Sequence, residues 1–252
     1  MITALLASVA LSMQTQTQQP PSGAALISGM FKHYAGAGSL VGKIHMIQTA
    51  QNVSVTLDTI IAYEAPSKLY LKQTQNSSEP RTWLITSDGT SFTYDYPNNR
   101  RFATSRPEPS RLEEAVTPVG GAKQNYQQIF RASTFSLGEL AVPEFLAIGG
   151  TDCLQAIKDQ IVTIQVMGTA KIGDQNVTII GGDWRFDAHH RVSAKYQMFI
   201  SDSGELKRYS QQETVAVKFA EQNMQPQQVL TTWDVDLQVN AKPDESLFNV
   251  VK

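Results

Sequence analysis

The side chains best suited to chemistry in this sequence are a histidine pair and a glutamate pair. His189 and His190 follow Asp187 in the run Asp-Ala-His-His-Arg, between two predicted strands. Neighbouring residues in a strand or turn point apart, so this run predicts a hairpin tip rather than a metal site. Glu113 and Glu114 are neighbours on a predicted helix and do not face each other, which argues against a paired-carboxylate site.

Catalytic and cofactor-binding motifs are absent from the sequence. It contains no Gly-x-Ser-x-Gly, Walker loop, Rossmann fingerprint or His-Glu-x-x-His. The single cysteine, Cys153, excludes an intramolecular disulfide and a cysteine-based zinc site, and we expect it to be a small core residue. We therefore expect a protein that is not an enzyme and that uses neither a cofactor nor a metal.

Composition narrows the classes of partner. The chain has 252 residues, a net charge of −2 and 17% charged residues. This balance offers no basic face for a phosphate backbone, so we expect no nucleic-acid partner. The length allows one large β-domain or two small ones, and the strand pattern decides between them.

The stretch Tyr63 to Phe102 organises the chain as three consecutive antiparallel strands. Leu69 and Leu71 alternate with Lys68, Tyr70 and Lys72, which is the period of two that is typical of a strand. The run Ser87-Asp88-Gly89 predicts a tight turn in which glycine takes a positive φ.

Further elements flank this stretch. Apolar residues from Gly23 to Tyr34 gather on one helical face, and Gly36-Ala37-Gly38 ends that helix. The remaining predicted strands have alternating or apolar patterns bounded by turn residues, including a turn at Gly181-Gly182. They are Leu40–Thr49, Val53–Ala62, Ile161–Ala170, Val177–Ile180, Trp184–Phe186, Val192–Ile200, Glu205–Tyr209, Thr214–Phe219 and Val229–Val239. A long meander of this kind predicts one β-domain.

The region from Pro107 to Gly150 has a different pattern. It predicts short helices interrupted by Pro118, Gly138 and Pro143, with many large apolar side chains. Such helices cover a concave sheet well, and we interpret them as a lid.

The central segment resembles the LolA/LolB-like superfamily of bacterial periplasmic outer-membrane lipoprotein carriers. The shared pattern is Pro66-Ser67-Lys68-Leu69-Tyr70-Leu71, then Ser87-Asp88-Gly89, then Phe92-Thr93-Tyr94-Asp95-Tyr96-Pro97. The ending, an acidic tail with phenylalanine from Pro243 to Phe248 after the last strand, is also similar to this superfamily. The resemblance extends over most of Gly23 to Phe248.

The resemblance implies a mainly β (α+β) fold, an incomplete antiparallel β-barrel of about ten to eleven strands with a short helical lid over its concave side. It also implies an apolar groove between barrel and helices. The residues expected to line that groove are Leu69, Leu71, Trp83, Ile85, Phe92, Tyr94, Phe130, Phe135, Leu140 and Phe145. The lipoprotein carriers have an arginine just before the strand-starting proline, where this chain has Ala65, so generic apolar binding is implied more directly than lipoprotein hand-off.

Two functions are compatible with these patterns. The first is a binding protein for acyl chains or another apolar ligand, with a role in lipid or lipoprotein trafficking and outer-membrane biogenesis. The alternative is an envelope sensor or scaffold of the same fold, with a membrane protein as partner and no transported ligand. In either case we expect a monomer.

The N-terminus predicts export. Ile2 to Leu11 is an apolar run of signal-peptide length, too short to span a membrane as a mature helix, and the polar tract Gln14 to Ser22 follows it. No lysine or arginine precedes the run. We expect residues 1–22 to be a signal peptide with a polar linker, residues 23–252 to form a single domain, and the processed protein to be soluble in the periplasm or secreted.

Overall fold

The computed structural model describes residues 21–51, 53–65, 68–89, 92–95, 161–184, 191–215, 218–219, 222–223 and 226–249. Helix α1 spans Gly23–Ala35 and a short 3-10 helix spans Glu245–Phe248. The strands are β1 (Ser39–Ala50), β2 (Val53–Glu64), β3 (Lys68–Asn76), β4 (Arg81–Asp88), β5 (Phe92–Asp95), β6 (Gln165–Ile172), β7 (Gln175–Trp184), β8 (Arg191–Ser201), β9 (Leu206–Val215), β10 (Lys218–Phe219), β11 (Gln222–Asn223) and β12 (Gln227–Val239). The predicted lid from Pro107 to Gly150, with Cys153 and His189-His190, lies outside the described residues.

Ten of these strands form one open antiparallel sheet. Their order is β5-β4-β3-β2-β1-β12-β9-β8-β7-β6, and β10 and β11 form a separate two-stranded ribbon. The edge strands β5 and β6 are at opposite ends of this order and do not pair with each other. The predicted mainly β fold, an incomplete antiparallel barrel, is therefore confirmed. The predicted meander is interrupted at one point, because the last strand lies between β1 and β9.

Helix α1 forms where its apolar stripe predicts it. The side chain of Ser22 caps its start by accepting a hydrogen bond from the Ala25 N–H at 3.3 Å. Ile27, Met30 and Phe31 of its stripe are buried. The helix belongs to the same apolar core as the sheet, so the stripe has the packing role that its periodicity indicates.

The strand register divides the sheet into two faces. The face that carries Leu40, Ile44 and Met46 of β1 also carries α1, and we call it the inner face. Its other buried apolar positions are in register with these three and extend across seven more strands. They include Leu57, Ile61, Tyr63, Leu69, Leu71, Ile85, Ile180, Tyr196, Met198, Tyr209, Trp233, Val235 and Leu237.

The prediction of a turn at Gly181-Gly182 is wrong. Strand β7 runs without interruption from Gln175 to Trp184 and includes both glycines. A Cβ on Gly182 would lie only 1.9 Å from the Thr163 carbonyl oxygen, because residues 161–164 run antiparallel beside the end of β7, with Ile161 bridging to Trp184. The Val162 N–H donates to the Asp183 carbonyl at 2.9 Å and holds this segment against the strand. The glycine pair therefore permits a close approach of two backbones instead of a change of direction.

Another predicted division in the second half is also wrong. The two strands predicted at Glu205–Tyr209 and Thr214–Phe219 are mostly one strand, β9, which continues to Val215 before the short β10 begins. The polar run between them, Ser210 to Glu213, follows strand geometry because its backbone pairs with β8 and β12 on both sides.

The C-terminal tail is fixed to the first half of the sheet. The Lys68 ammonium contacts Glu64 at 3.1 Å and Glu245 at 2.9 Å, and it lies 5.6 Å from the ring centre of Phe248. Phe248 is buried, and the Asp244 carboxylate accepts from the Ser246 N–H at the start of the 3-10 helix. The acidic tail with phenylalanine thus anchors the chain end beside β3 and β4.

The buried hydroxyl of Tyr34 links α1 to the second half of the sheet. It accepts a hydrogen bond from the Leu206 N–H at 3.1 Å, and burial raises the pKa of Tyr34 well above its ordinary value. We expect Tyr34→Phe to lower the free energy of unfolding by about 1–2 kcal/mol, because a buried backbone N–H would lose its acceptor. Urea denaturation measures this change.

Tyr70→Phe is the matched control, since Tyr70 is a half-buried tyrosine on the outer face. We expect it to change the free energy of unfolding by less than about 0.5 kcal/mol. Equal losses in the two variants would contradict the assignment of the helix contact to the Tyr34 hydroxyl.

Candidate ligand-binding face

The strand register brings the predicted groove residues of β3, β4 and β5 into neighbouring rows. Leu71 pairs with Ile85, and Ile85 in turn pairs with Tyr94. Leu69 pairs with Ser87, which pairs with Phe92. By register, Leu69, Leu71, Ile85 and Trp83 lie in rows of the inner face, as the alternation within β3 and β4 predicts.

The exposure of these residues differs along the rows. Leu69, Leu71 and Ile85 are 0% exposed, whereas Trp83 is half-buried. The other predicted groove residues, Phe130, Phe135, Leu140 and Phe145, lie outside the described residues. Contact of the ten residues with a ligand stays a prediction.

The inner face changes from apolar to polar along the strands. At the end where β1 begins, the rows contain Leu40, Leu237 and Tyr63. Further along β1, the row of Ile44 contains Thr59 and Gln73, and the row of Gln48 contains Thr231 and Gln211. There the Gln48 amide donates to the Thr231 hydroxyl at 3.1 Å. An amphiphilic molecule on this face would therefore meet different surroundings at its two ends.

Polar groups at the polar end of the second half bond to one another. The Tyr209 hydroxyl donates to the Gln211 amide oxygen at 2.8 Å, and the Gln211 amide nitrogen donates to Glu213. These residues have hydrogen-bond partners within the protein, as buried polar groups usually do. Nothing in them requires a ligand.

Gln73 of β3 is an exception on the inner face. It is 0% exposed, it lies between Thr59 of β2 and Trp83 of β4, and neither atom of its side-chain amide has a hydrogen-bond partner in the part of the chain that the structure describes. Leaving such a group unsatisfied costs on the order of 1–3 kcal/mol. Sequence reasoning missed it, although the alternation Leu69, Leu71, Gln73 already places it on the apolar face.

Two tyrosines of the inner face, Tyr63 and Tyr196, have raised pKa values because they are buried. Burial raises the pKa of Tyr63 to about 12. Burial, together with the nearby Asp183 carboxylate, raises the pKa of Tyr196 to about 12. Both phenols therefore stay neutral, which keeps this face compatible with an uncharged ligand.

A separate groove lies on the outer face of β6 to β9 and has a volume of about 380 Å³. Its lining contains the apolar Met167 and the polar Asp183, Lys195 and Gln197. The Thr163 hydroxyl donates to Asp183 at 2.9 Å, and the Gln197 amide contacts the Met167 sulfur at 3.6 Å. These contacts connect residues of the groove to one another. Sequence reasoning did not identify this groove.

Another polar row crosses the outer face in the first half of the sheet. The His45 Nδ1 atom lies 2.6 Å from an Asp58 oxygen, and the Asn76 amide donates to the other Asp58 oxygen at 2.5 Å. The hydrogen bond from His45 is the main cause that lowers the pKa of Asp58. The His45 and Asp58 side chains are 42% and 51% exposed, so this pair is a surface interaction of small energy.

Two further features of the described residues concern membrane-spanning helices and metal-binding clusters. No described helix has the length and apolar character needed to cross a membrane. Among the described residues, no three histidine, cysteine or acidic side chains come together in a way that could hold a metal ion.

Comparisons with known proteins show likeness of fold at low identity. No protein-family model and no curated protein matches the sequence. Among solved structures, the MucA/MucB complex of Pseudomonas aeruginosa matches with a TM-score of 0.38 and 10% identity, over 90% of this chain and 60% of that chain. The lipoprotein LppX of Mycobacterium tuberculosis matches with a TM-score of 0.35 and 13% identity, over 84% of this chain and 95% of that one.

A third match is the LolA superfamily protein NE2245 of Nitrosomonas europaea, with a TM-score of 0.27, 6% identity, and coverage of 91% of this chain and 98% of that one. The chain spans 60% of the length of the MucB structures it matches.

The outer polar row predicts a pH dependence of stability. The lowered pKa of Asp58 means that its carboxylate stabilises the fold above the unfolded pKa of about 3.9, and that this contribution is lost as the pH falls through the folded value. We expect Asp58→Asn to lower the free energy of unfolding by less than about 1 kcal/mol at pH 7, since the pair is exposed. The difference from wild type should shrink below about pH 4, and urea titrations at several pH values measure it.

Asp236→Asn is the control for this experiment. Asp236 is an exposed outer-face carboxylate of β12 with no ion pair or side-chain hydrogen bond in the part of the chain described. We expect it to leave the pH profile unchanged. A difference for Asp58→Asn that grows as the pH falls would contradict the assigned role of the carboxylate.

Proposed function

We propose that this protein is a monomeric, exported binding protein that holds acyl chains or a comparable apolar ligand against the inner face of its sheet. The observation that carries the proposal is the apolar inner face of an unclosed sheet, with buried rows that extend from β3 and β4 across β1 to β9. A closed barrel of similar size would fill its interior with its own side chains, whereas an open one leaves an entry along its edges. The resemblance of the central segment to lipoprotein carriers supports the same function.

The energy available from such a face is sufficient without any charged contact. Burial of each methylene group is worth about 0.8 kcal/mol, so a long chain gains on the order of 10 kcal/mol. Losses of translational, rotational and chain freedom oppose this gain. The free energy that remains allows binding that is tight but reversible, as trafficking of a lipid or lipoprotein between membranes requires.

The second candidate function is a sensor or scaffold in the cell envelope. The observation that favours this function is the sheet edge at β6, where the side chains of Val162, Val166 and Met167 are more than half exposed. Exposed apolar side chains along an edge strand suit the addition of a strand or segment from a protein partner. In this case the inner face would be a filled core, and no ligand would leave or enter it.

Export is part of the proposal. The apolar run before Ser12 and the polar tract to Ser22 support removal of a leader near Ser12 to Gln19. N-terminal sequencing of the protein from the envelope fraction checks this, and intact Met1 on protein recovered from the cytosol would contradict it.

Two neighbouring residues of β4 allow a matched test of ligand binding. Trp83 and Leu84 are both half-buried, but they lie on the inner and outer faces respectively. We expect Trp83→Glu to weaken the uptake of a dansyl-labelled fatty acid by roughly tenfold or more, because a carboxylate on the inner face must lose water when the chain binds. Fluorescence titration measures the affinity.

Leu84→Glu should leave that affinity within about twofold of wild type, since it adds the same charge on the other face at similar burial. Circular dichroism of both variants shows whether they are folded. If the folded wild-type protein takes up no acyl probe and no lipid is extracted from the purified protein, the sensor or scaffold function is favoured.

A further inference from the structure

The amide of Gln73 is the one polar group of the described inner face that is fully buried and without a hydrogen-bond partner. Bulk water is excluded as a partner of the Gln73 amide because the residue is 0% exposed. Gln73 also does not lie at the end of a strand, since it is within β3 and between β2 and β4. A buried group of this kind weakens the fold unless it has a partner in the residues outside the described ranges or in a bound molecule. A partner in a bound molecule would restrict the chemical class of that molecule.

The position of Gln73 divides its strand into two environments. On one side, towards the start of β3, the inner positions are Leu71 and Leu69, both 0% exposed. On the other side the next inner position is Gln75, which pairs with the exposed Arg81. Successive rows are about 6.6 Å apart, because each residue of a strand adds about 3.3 Å. An apolar chain along the leucines would therefore place its polar end beside Gln73.

The side chain of Gln73 is neutral and needs two kinds of partner. Its nitrogen has two hydrogens to donate and its oxygen accepts. A hydrocarbon satisfies neither atom, and an ester alone satisfies only the nitrogen. A molecule that carries a carbonyl and hydroxyl groups next to its chain, as a monoacylglycerol does, satisfies both.

A charged carboxylate fits this position less well. The direct cross-strand neighbours of Gln73 are Thr59 and Trp83, and neither is a cation. The nearest basic side chain on the inner face of β4 is Arg81, which is exposed and belongs to the next row. A carboxylate buried without a cation loses more hydration than neutral hydrogen bonds return.

We propose that Gln73 is a specificity-determining residue that hydrogen-bonds to the polar group of an uncharged acyl ligand of the monoacylglycerol type, with the acyl chain directed along Leu71 and Leu69. This inference rests on the proposed function, since it concerns the ligand of the same face. It adds the class of ligand and its direction on the sheet.

Competition between two probes tests the inference. Delipidated protein is incubated with an equimolar mixture of 1-oleoylglycerol and 1-octadecene, which have chains of equal length, and the bound lipids are extracted after gel filtration and quantified. The readout is the ratio of the two bound probes, which a general loss of folding or of binding capacity does not change. We expect wild type to retain 1-oleoylglycerol in roughly tenfold excess, as a site built for hydrogen bonding disfavours a molecule that lacks the polar groups.

Gln73→Leu should move this ratio about fivefold to tenfold towards 1-octadecene, and Gln73→Met should do the same with less change of shape. The matched control is Gln75→Leu, at the next inner position of the same strand, which should keep the wild-type ratio within about twofold. The thermal midpoint of ligand-free Gln73→Leu should be equal to or above that of wild type, because the variant removes an unsatisfied buried amide.

The outcomes separate this inference from the proposed function. If wild type retains both probes and Gln73→Leu keeps the same ratio, Gln73 does not select the ligand, and the inference is overturned while apolar binding stands. If wild type retains neither probe, both fail. A ligand-free Gln73→Leu variant that is clearly less stable than wild type would show that Gln73 has a partner within the protein, which also overturns the inference.

Discussion

The ladder between β1 and β12 is the interaction on which the rest of the structure depends. Within the described sheet, the hydrogen-bonded strands β2 to β5 join the second half through β1, and β9 to β6 join the first half through β12. The ladder extends from Leu40 opposite Val239 to Ala50 opposite Val229. Near the Leu40 end, a Cβ on Gly42 would lie 2.0 Å from the Asp236 carbonyl oxygen, so the approach of these two backbones depends on glycine at that position.

The same ladder determines which side chains share a face. Met46 lies opposite Trp233 and Ile44 opposite Val235, so the apolar rows of the two halves join into one inner face. A shift of one residue would instead place Lys43 and His45 opposite the core side chains of β12. The continuity of the proposed binding face, and the position of Gln73 within it, are therefore consequences of one register.

Much of this arrangement could be predicted from residue alternation. The shared face of Leu69, Leu71, Trp83 and Ile85, the helix from Gly23 and the turn at Gly89, whose φ is +93°, all follow from local patterns. Local patterns could not show that β12 lies between β1 and β9, since that pairing joins the two ends of the domain.

The errors have specific physical causes. Gly181-Gly182 looks like a turn, but its role depends on Thr163, which lies against Gly182 in the segment beside β7. Gln73 was overlooked because a glutamine in a strand usually faces solvent, and only the register with Thr59 and Trp83 shows that it is enclosed. In both cases the deciding neighbour comes from a different strand or segment.

The central place of the last strand has a consequence for the timing of folding. During synthesis, β1 and the hairpins that follow it emerge long before β12, so the middle of the sheet stays incomplete until β12 is available. Until then β1 has one open side, which is an unpaired edge in a hydrophobic segment. A chain with this topology completes its sheet late, and removal of β12 would divide the sheet at its centre instead of trimming its edge.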